Sequence, residues 1–147
     1  MAEIDNKKLV AKLYEQGWGR GDLDVIDEAF APEHILHWNE WPPTDQRRTT
    51  DEVKAIIHAY RNAFPDLRVE INELVAEGDK VALQVSFIGT HEKPYESFQP
   101  THRLSRFTDM QILKISNGRI VESTLSTGGL DYFYKVLAGQ VFNCSQR

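Results

Sequence analysis

Apolar residues recur at helical spacing near the start of the chain, at Ile4, Leu9, Val10, Leu13 and Tyr14, until Gly17, Gly19 and Gly21 interrupt them. This pattern predicts a first helix ending near Trp18. Asp22 then stands as an N-cap for a shorter helix carrying Leu23, Ile26 and Phe30, closed by Pro32. His34–Trp38 reads as a brief strand with Ile35 and His37 on one face, and the polar stretch from Asn39 to Arg48 reads as loop. Thr49 and Glu52 have capping-box spacing, and the stripe Val53, Ile56, Ile57, Tyr60 and Phe64 runs to Pro65, which makes this the main helix. From there the periodicity changes to two. Strands are expected over Leu67–Ala76 and Val81–Thr90, joined by the turn Glu77-Gly78-Asp79, with Val81, Leu83, Val85 and Phe87 on one face and Gln84 and Ser86 on the other. Leu130–Leu137 is expected to form a last short helix, and the tail 139–147 to be mobile or docked on a partner.

The strongest local signal lies in Phe107–Gly128. Asn117-Gly118 separates two β-rich runs and suits a two-residue type I′ turn, in which both central residues have positive φ. Counting outward from Ser116 opposite Arg119 pairs Leu113 with Glu122, Gln111 with Thr124 and Asp109 with Ser126. Those six groups, with Phe107 and Ile115, then share one face. Met110, Ile112, Lys114, Val121, Ser123 and Leu125 share the other. The first face reads either as a solvated sheet surface or as the wall of a pocket, with a few polar groups in an apolar frame. Helices precede strands, and the fold class is α+β.

Composition narrows the function. The chain of 147 residues is 41% hydrophobic, which suits one domain spanning 1–147 with one core. The net charge is -5, and no Lys or Arg run exceeds two residues, which argues against nucleic-acid binding. Neither a leader-like apolar segment nor a run of membrane length is present, and a single cysteine, Cys144, provides no disulfide framework, so a cytoplasmic setting and no membrane partner are expected. There is no phosphate-binding Gly-rich loop, dinucleotide fingerprint or Cys/His ligand set, and no metal or organic cofactor is expected. His34 and His37 are three apart, which places them on opposite faces of a strand and not together as ligands.

The segments AFPDLRVEINELVAEGDKVALQVSFIGTH (63–91) and ILKISNGRIVE (112–122) resemble the SnoaL-like polyketide and ester cyclase family, over nearly the whole chain to Leu137. That resemblance implies a curved antiparallel sheet with three main helices, forming a nuclear-transport-factor-two-like cone around a deep pocket, and cofactor-free intramolecular aldol closure. The carboxylate that closes the last strand in relatives is replaced here by Gly128. Asp109 stands where relatives tend to have Gly, and Gln111 where they have Asp. The relatives' Pro-Pro-Thr-Gly loop reads Gln99-Pro100-Thr101-His102, and His37 stands where many members carry His. The expected site therefore has Asp109, with His37 or His102, as acid/base groups. Trp18, Trp38, Tyr60, Phe64, Phe107, Gln111, Thr124 and Ser126 are expected to contact a small hydrophobic substrate. Three classes compete: a cofactor-independent cyclase or isomerase, a hydrolase or dehydratase, and a non-catalytic binding or dimerisation module. Met110, Ile112, Val121 and Leu125 on the far face of the sheet suggest a homodimer.

Overall fold

Asn117 (φ 53) and Gly118 (φ 74) both adopt positive φ, so the hairpin turn forms as its sequence requires. Ser116 pairs with Arg119 and Ile115 with Ile120, but the register then slips, so that Lys114 faces Glu122, Leu113 faces Ser123 and Gln111 faces Leu125. One extra residue in the later strand forms a bulge there. Because side chains alternate with a period of two, that residue exchanges the faces of every position beyond it. Glu122 and Thr124 are thereby moved to the outer face and Ser123 and Leu125 to the inner one, reversing the expected assignment of this strand.

The computed structural model describes residues 2–38, 43–126, 134, 135 and 137–139. Its elements are α1 (Ala2–Lys12), continued by a π-helical turn over Leu13–Trp18, α2 (Asp24–Ala29), β1 (Phe30–Trp38), β2 (Thr44–Thr49), α3 (Thr50–Ala63), β3 (Arg68–Glu77), β4 (Lys80–Thr90), β5 (Leu104–Ser116) and β6 (Arg119–Ser126). They form an α+β fold with one curved six-stranded sheet of order β2-β1-β6-β5-β4-β3, antiparallel except between β1 and β6. The N-cap half of the capping box forms: Thr49 Oγ1 accepts the Glu52 backbone N–H at 3.2 Å. Among the described residues no helix is long and apolar enough to cross a membrane.

Two expectations fail near the first edge of the sheet. Helix α2 ends at Ala29, and Phe30 and Pro32 belong to β1, which begins four residues earlier than the His34–Trp38 segment suggested. Thr44–Thr49 is a strand and not a loop. Its sequence, TDQRRT, carries no apolar residue because it is the edge strand, where polar and charged side chains discourage pairing with another chain. The expected helix over Leu130–Leu137 and the tail lie almost wholly outside the described residues.

The inner face of the sheet and the helices bury a common core, in which Val10, Leu13, Ile57, Phe64, Leu83, Val85, Leu113 and Ile120 are almost fully enclosed. Each such side chain contributes about 1.5–3 kcal/mol of hydrophobic stabilisation. The helices are also tied to one another by polar contacts. Arg61 of α3 donates from Nη1 to the carbonyls of Trp18 (2.8 Å) and Gly19 (2.9 Å), satisfying the open end of the first helix. Gly21 (φ +77) lets the chain turn there, and a Cβ at that position would lie 2.7 Å from Arg61 Nε. On the outer face Met110 and Ile112 are exposed.

Gly89 sets how closely α3 approaches the sheet. A Cβ there would meet Phe64 Cβ at 3.1 Å, Asp66 Oδ1 at 3.3 Å and the Leu67 Cα at 3.4 Å. None of these can move aside: Phe64 is wedged between Phe107 and His91, and Asp66 accepts hydrogen bonds from the Thr90 N–H and hydroxyl at 2.7 and 2.8 Å. Gly89→Ala is therefore expected to lower the unfolding free energy by about 1–3 kcal/mol, read from urea denaturation at constant m-value. An unchanged midpoint would show that this contact yields freely.

Candidate functional site

Between the inner face of the sheet and the helices lies a cavity of about 340 Å³. The π-helical turn forms one side of it. An i→i+5 turn is wider than an α-turn, and Tyr14 and Trp18, four residues apart, stack nearly parallel at 6.4 Å and 7°. Trp18 in turn meets Tyr60 of α3 edge-on at 5.4 Å and Phe87 of β4 at 5.1 Å, and Tyr60 meets Tyr95 at 5.1 Å. This aromatic lattice is stiff, because each ring is held by at least one other and has only two side-chain torsions to lose.

Into this surround β5 projects Phe107, Asp109 and Gln111, as expected. Trp18, Trp38 and Tyr60 also line the cavity. The other expected positions fall elsewhere. Phe64 is fully buried behind the wall, packed on Phe107 at 5.6 Å and His91 at 5.1 Å, so it supports the site without facing it. Thr124 is on the outer face because of the β6 bulge, opposite Ile112. Ser126 pairs with outer-facing Met110, and its side chain lies outside the described residues. Ser123 and Leu125 take their places in the cavity.

Neither expected histidine faces the cavity. His37 is on the outer face of β1, with Nδ1 2.8 Å from Asp45 Oδ1 and Nε2 2.7 Å from Glu122 Oε1, while Lys114 lies 3.4 Å from the same carboxylate. The bond to Glu122, then that to Asp45, raises the His37 pKa, and the reciprocal bond lowers that of Glu122. His102 is mostly exposed and left-handed (φ 56), its Nδ1 3.6 Å from a Glu92 carboxylate. From that loop it is Tyr95 and Glu96 that reach the cavity.

The histidine that does line the cavity is His34, only 4% exposed and 4.7 Å from the Phe30 ring. Its presence was legible in the alternation. If Trp38 points inward, so do Leu36 and His34, and His37 must point out. Arg48 enters the cavity from β2, directly opposite His34. No signal pointed to it once 39–48 was read as loop.

Desolvation dominates the electrostatics. Asp109 is raised from 3.8 to about 6 by burial. Tyr14 is raised strongly by burial and then by the Asp109 charge, against a hydrogen bond with Gln111; Tyr60 is likewise raised by burial, and further by the charges of Tyr95 and Asp109. Burial and then the Arg48 charge lower His34 to about 4. Near neutral pH the cavity thus holds a carboxylate able to take a proton, phenols that keep theirs, a neutral imidazole and one permanent cation.

A family profile, SnoaL-like polyketide cyclase, matches residues 8–143. Among solved structures the chain is similar to a candidate SnoaL-like polyketide cyclase from Jannaschia sp. CCS1, at 22% identity and a TM-score of 0.76 over 92% of this chain and 93% of that one. AclR from Streptomyces galilaeus, a candidate hydroxylase, superposes with a TM-score of 0.75 at 22% identity over 95% and 99% of the two chains. IdmH from Streptomyces antibioticus, a candidate polyketide cyclase, gives 0.70 at 23% over 88% and 98%. No curated protein matches the chain.

The raised Asp109 pKa carries a consequence for stability. Between 3.8 and about 6 the folded chain binds more protons than the unfolded one, so this group makes stability fall as pH rises through that window. Asp109→Asn removes the cost of an ionised carboxylate in the cavity. Denaturation midpoints are expected to show the variant more stable than wild type by on the order of 2–3 kcal/mol near pH 7, with the difference vanishing below about pH 4. Equal stability at both pH values would mean that Asp109 is well solvated.

Proposed function

Because the chain belongs to the SnoaL-like polyketide cyclase family, we propose that it is a cofactor-independent cyclase or isomerase, acting by general acid–base catalysis on a small, largely apolar polyketide-like intermediate. The observation that carries this reading is the Asp109 carboxyl, held in an aromatic cavity with its pKa at about 6. A base of that strength is mostly ionised near neutrality yet strong enough to accept a proton from an activated carbon.

In this reading the substrate lies between Trp18, Phe87 and Phe107, with a carbon next to a carbonyl facing Asp109. The carboxylate removes that proton and the C–H electron pair passes into an enolate. The phenols of Tyr14 and Tyr60, kept protonated by burial and by Asp109 itself, donate hydrogen bonds to the developing oxyanion. In a cyclase the enolate carbon then attacks a second carbonyl in the same molecule, forming a C–C bond. The resulting alkoxide recovers the proton from Asp109, directly or through a phenol, and no oxidant or reductant is consumed. The reaction uses proton transfer in an enclosed site, where hydrogen bonds are stronger than in water. The cavity phenols take the role that His37 and His102 were expected to fill, since both of those side chains are outside it.

The test does not need the natural substrate. Exchange of the methyl protons of 2-acetylnaphthalene in deuterium oxide, followed by NMR, reports proton abstraction beside a carbonyl. Exchange is expected to rise with pH to a plateau with an apparent pKa near 6, and Asp109→Asn is expected to slow it by about 10²–10⁴-fold. Exchange within a few-fold of wild type in that variant would remove Asp109 as the base. Binding of the ketone with no catalysed exchange in the wild type would favour a binding module.

A further inference from the structure

Arg48 is at an odd place for a cation. It lines a cavity whose walls are mostly aromatic and aliphatic, its Nε is buried with no hydrogen-bond partner, and its Nη2 reaches the neutral amide oxygen of Gln46 at 3.1 Å. Among the described residues it forms no ion pair. The residue as a whole is half-buried, but its Nε is enclosed, and a guanidinium, unlike a lysine amine, cannot shed its proton to escape that desolvation. The facing His34 is nine-tenths buried, and its Nδ1 also lacks a partner. Buried unsatisfied polar atoms are uncommon in folded proteins, and here two occur on directly paired residues of adjacent strands and face one cavity. The buried side chain of Ser123, on the neighbouring strand, borders the same region.

We propose that Arg48 and His34 form an anion-binding subsite at the β1–β2 side of the cavity, which holds a planar pair of anionic oxygens on the ligand, from a carboxylate or an ionised 1,3-dicarbonyl. The guanidinium fork matches two coplanar oxygens, and His34 contributes one neutral hydrogen bond beside it. Arg48 also argues against a metal ion at His34, because it would repel a cation. The inference rests on the proposed small-molecule cavity and adds the substrate class. It also separates the two ends of the ligand: His34 is on β1 and Asp109 on β5, with β6 between, and because Leu36 aligns through Ser123 with Leu113 the two groups are offset along the strands as well. The ligand is therefore amphipathic, with rings among the aromatic side chains and an acidic head at Arg48.

Isothermal titration calorimetry with 2-naphthoate and its neutral isostere 2-naphthamide tests this directly. Wild type is expected to bind the carboxylate at least about tenfold more tightly, a difference of about 1.4 kcal/mol. In Arg48→Met that preference is expected to disappear while amide affinity stays within about threefold, which also shows that the variant is folded. Equal affinities in wild type, or a preference that survives Arg48→Met, would overturn the subsite. The wild-type comparison decides even if the variant does not fold. Competition by 2-acetylcyclohexane-1,3-dione, an acidic tricarbonyl, then assigns the head group: displacement of 2-naphthoate indicates an ionised dicarbonyl, and no displacement indicates a carboxylate. The preference should persist in Asp109→Asn. Discrimination between the ligands with no role for Asp109 in exchange would fail the catalytic reading alone, and an active base without discrimination would fail this one alone.

Discussion

The constraint on which the rest of the structure depends is parity along the strands of a curled sheet. Each residue faces either the cavity or the outside, with nothing between, and the chemistry of the site follows from which side a polar group is given. Phe107, Asp109 and Gln111 point inward from β5. The bulge between Ile115 and Lys114 on one side, and Ile120 and Glu122 on the other, then sends Glu122 and Thr124 outward and brings Ser123 and Leu125 in. Without that extra residue a second carboxylate, Glu122, would share the inner face with Asp109, and its charge would perturb Asp109 in its own right. With it, Asp109 responds to burial alone.

The two faces treat charge in opposite ways. Outside, His37 is bonded at both ring nitrogens by Asp45 and Glu122, and Lys114 completes the cluster, so every group there is answered. Inside, His34 and Arg48 keep buried nitrogen atoms without partners, and Asp109 is left to desolvation. The outer cluster answers its polar atoms, whereas two of the residues that face the cavity do not. Such unpaired atoms cost stability, and folded proteins concentrate them at functional sites. The aromatic lattice around Trp18 permits them by keeping the cavity open, because rings locked against one another cannot collapse into it.

What the sequence revealed depended on how far each signal reaches. The Asn117-Gly118 turn, the Thr49 cap and the inward run of Val81, Leu83, Val85 and Phe87 are local, and all three hold in the structure. Asp109 and its raised pKa follow from β5, which keeps its phase from the turn to Phe107. The bulge carries no residue signature in RIVES, so β6 could not be phased by counting. Strand β2 escaped notice because an edge strand need not be apolar, and Arg48 went with it. His37 was favoured through family likeness over His34, although placing Trp38 inward already fixed the opposite choice. Cavity residues from distant segments, such as Tyr95 and Glu96, depend on tertiary packing that no local pattern encodes.

The central claim is that one carboxyl, Asp109, is desolvated in the cavity and titrates near neutrality. It can be measured without any substrate, by following the aspartate side-chain carboxyl carbons by NMR from about pH 3 to pH 9, with Asp109→Asn used to assign the resonance. The account predicts a midpoint at about 6 for Asp109, well above the ordinary aspartate value of 3.8. A midpoint at or below about 4 would contradict it, because a solvated, fully ionised carboxylate would be too weak a base for the proposed chemistry.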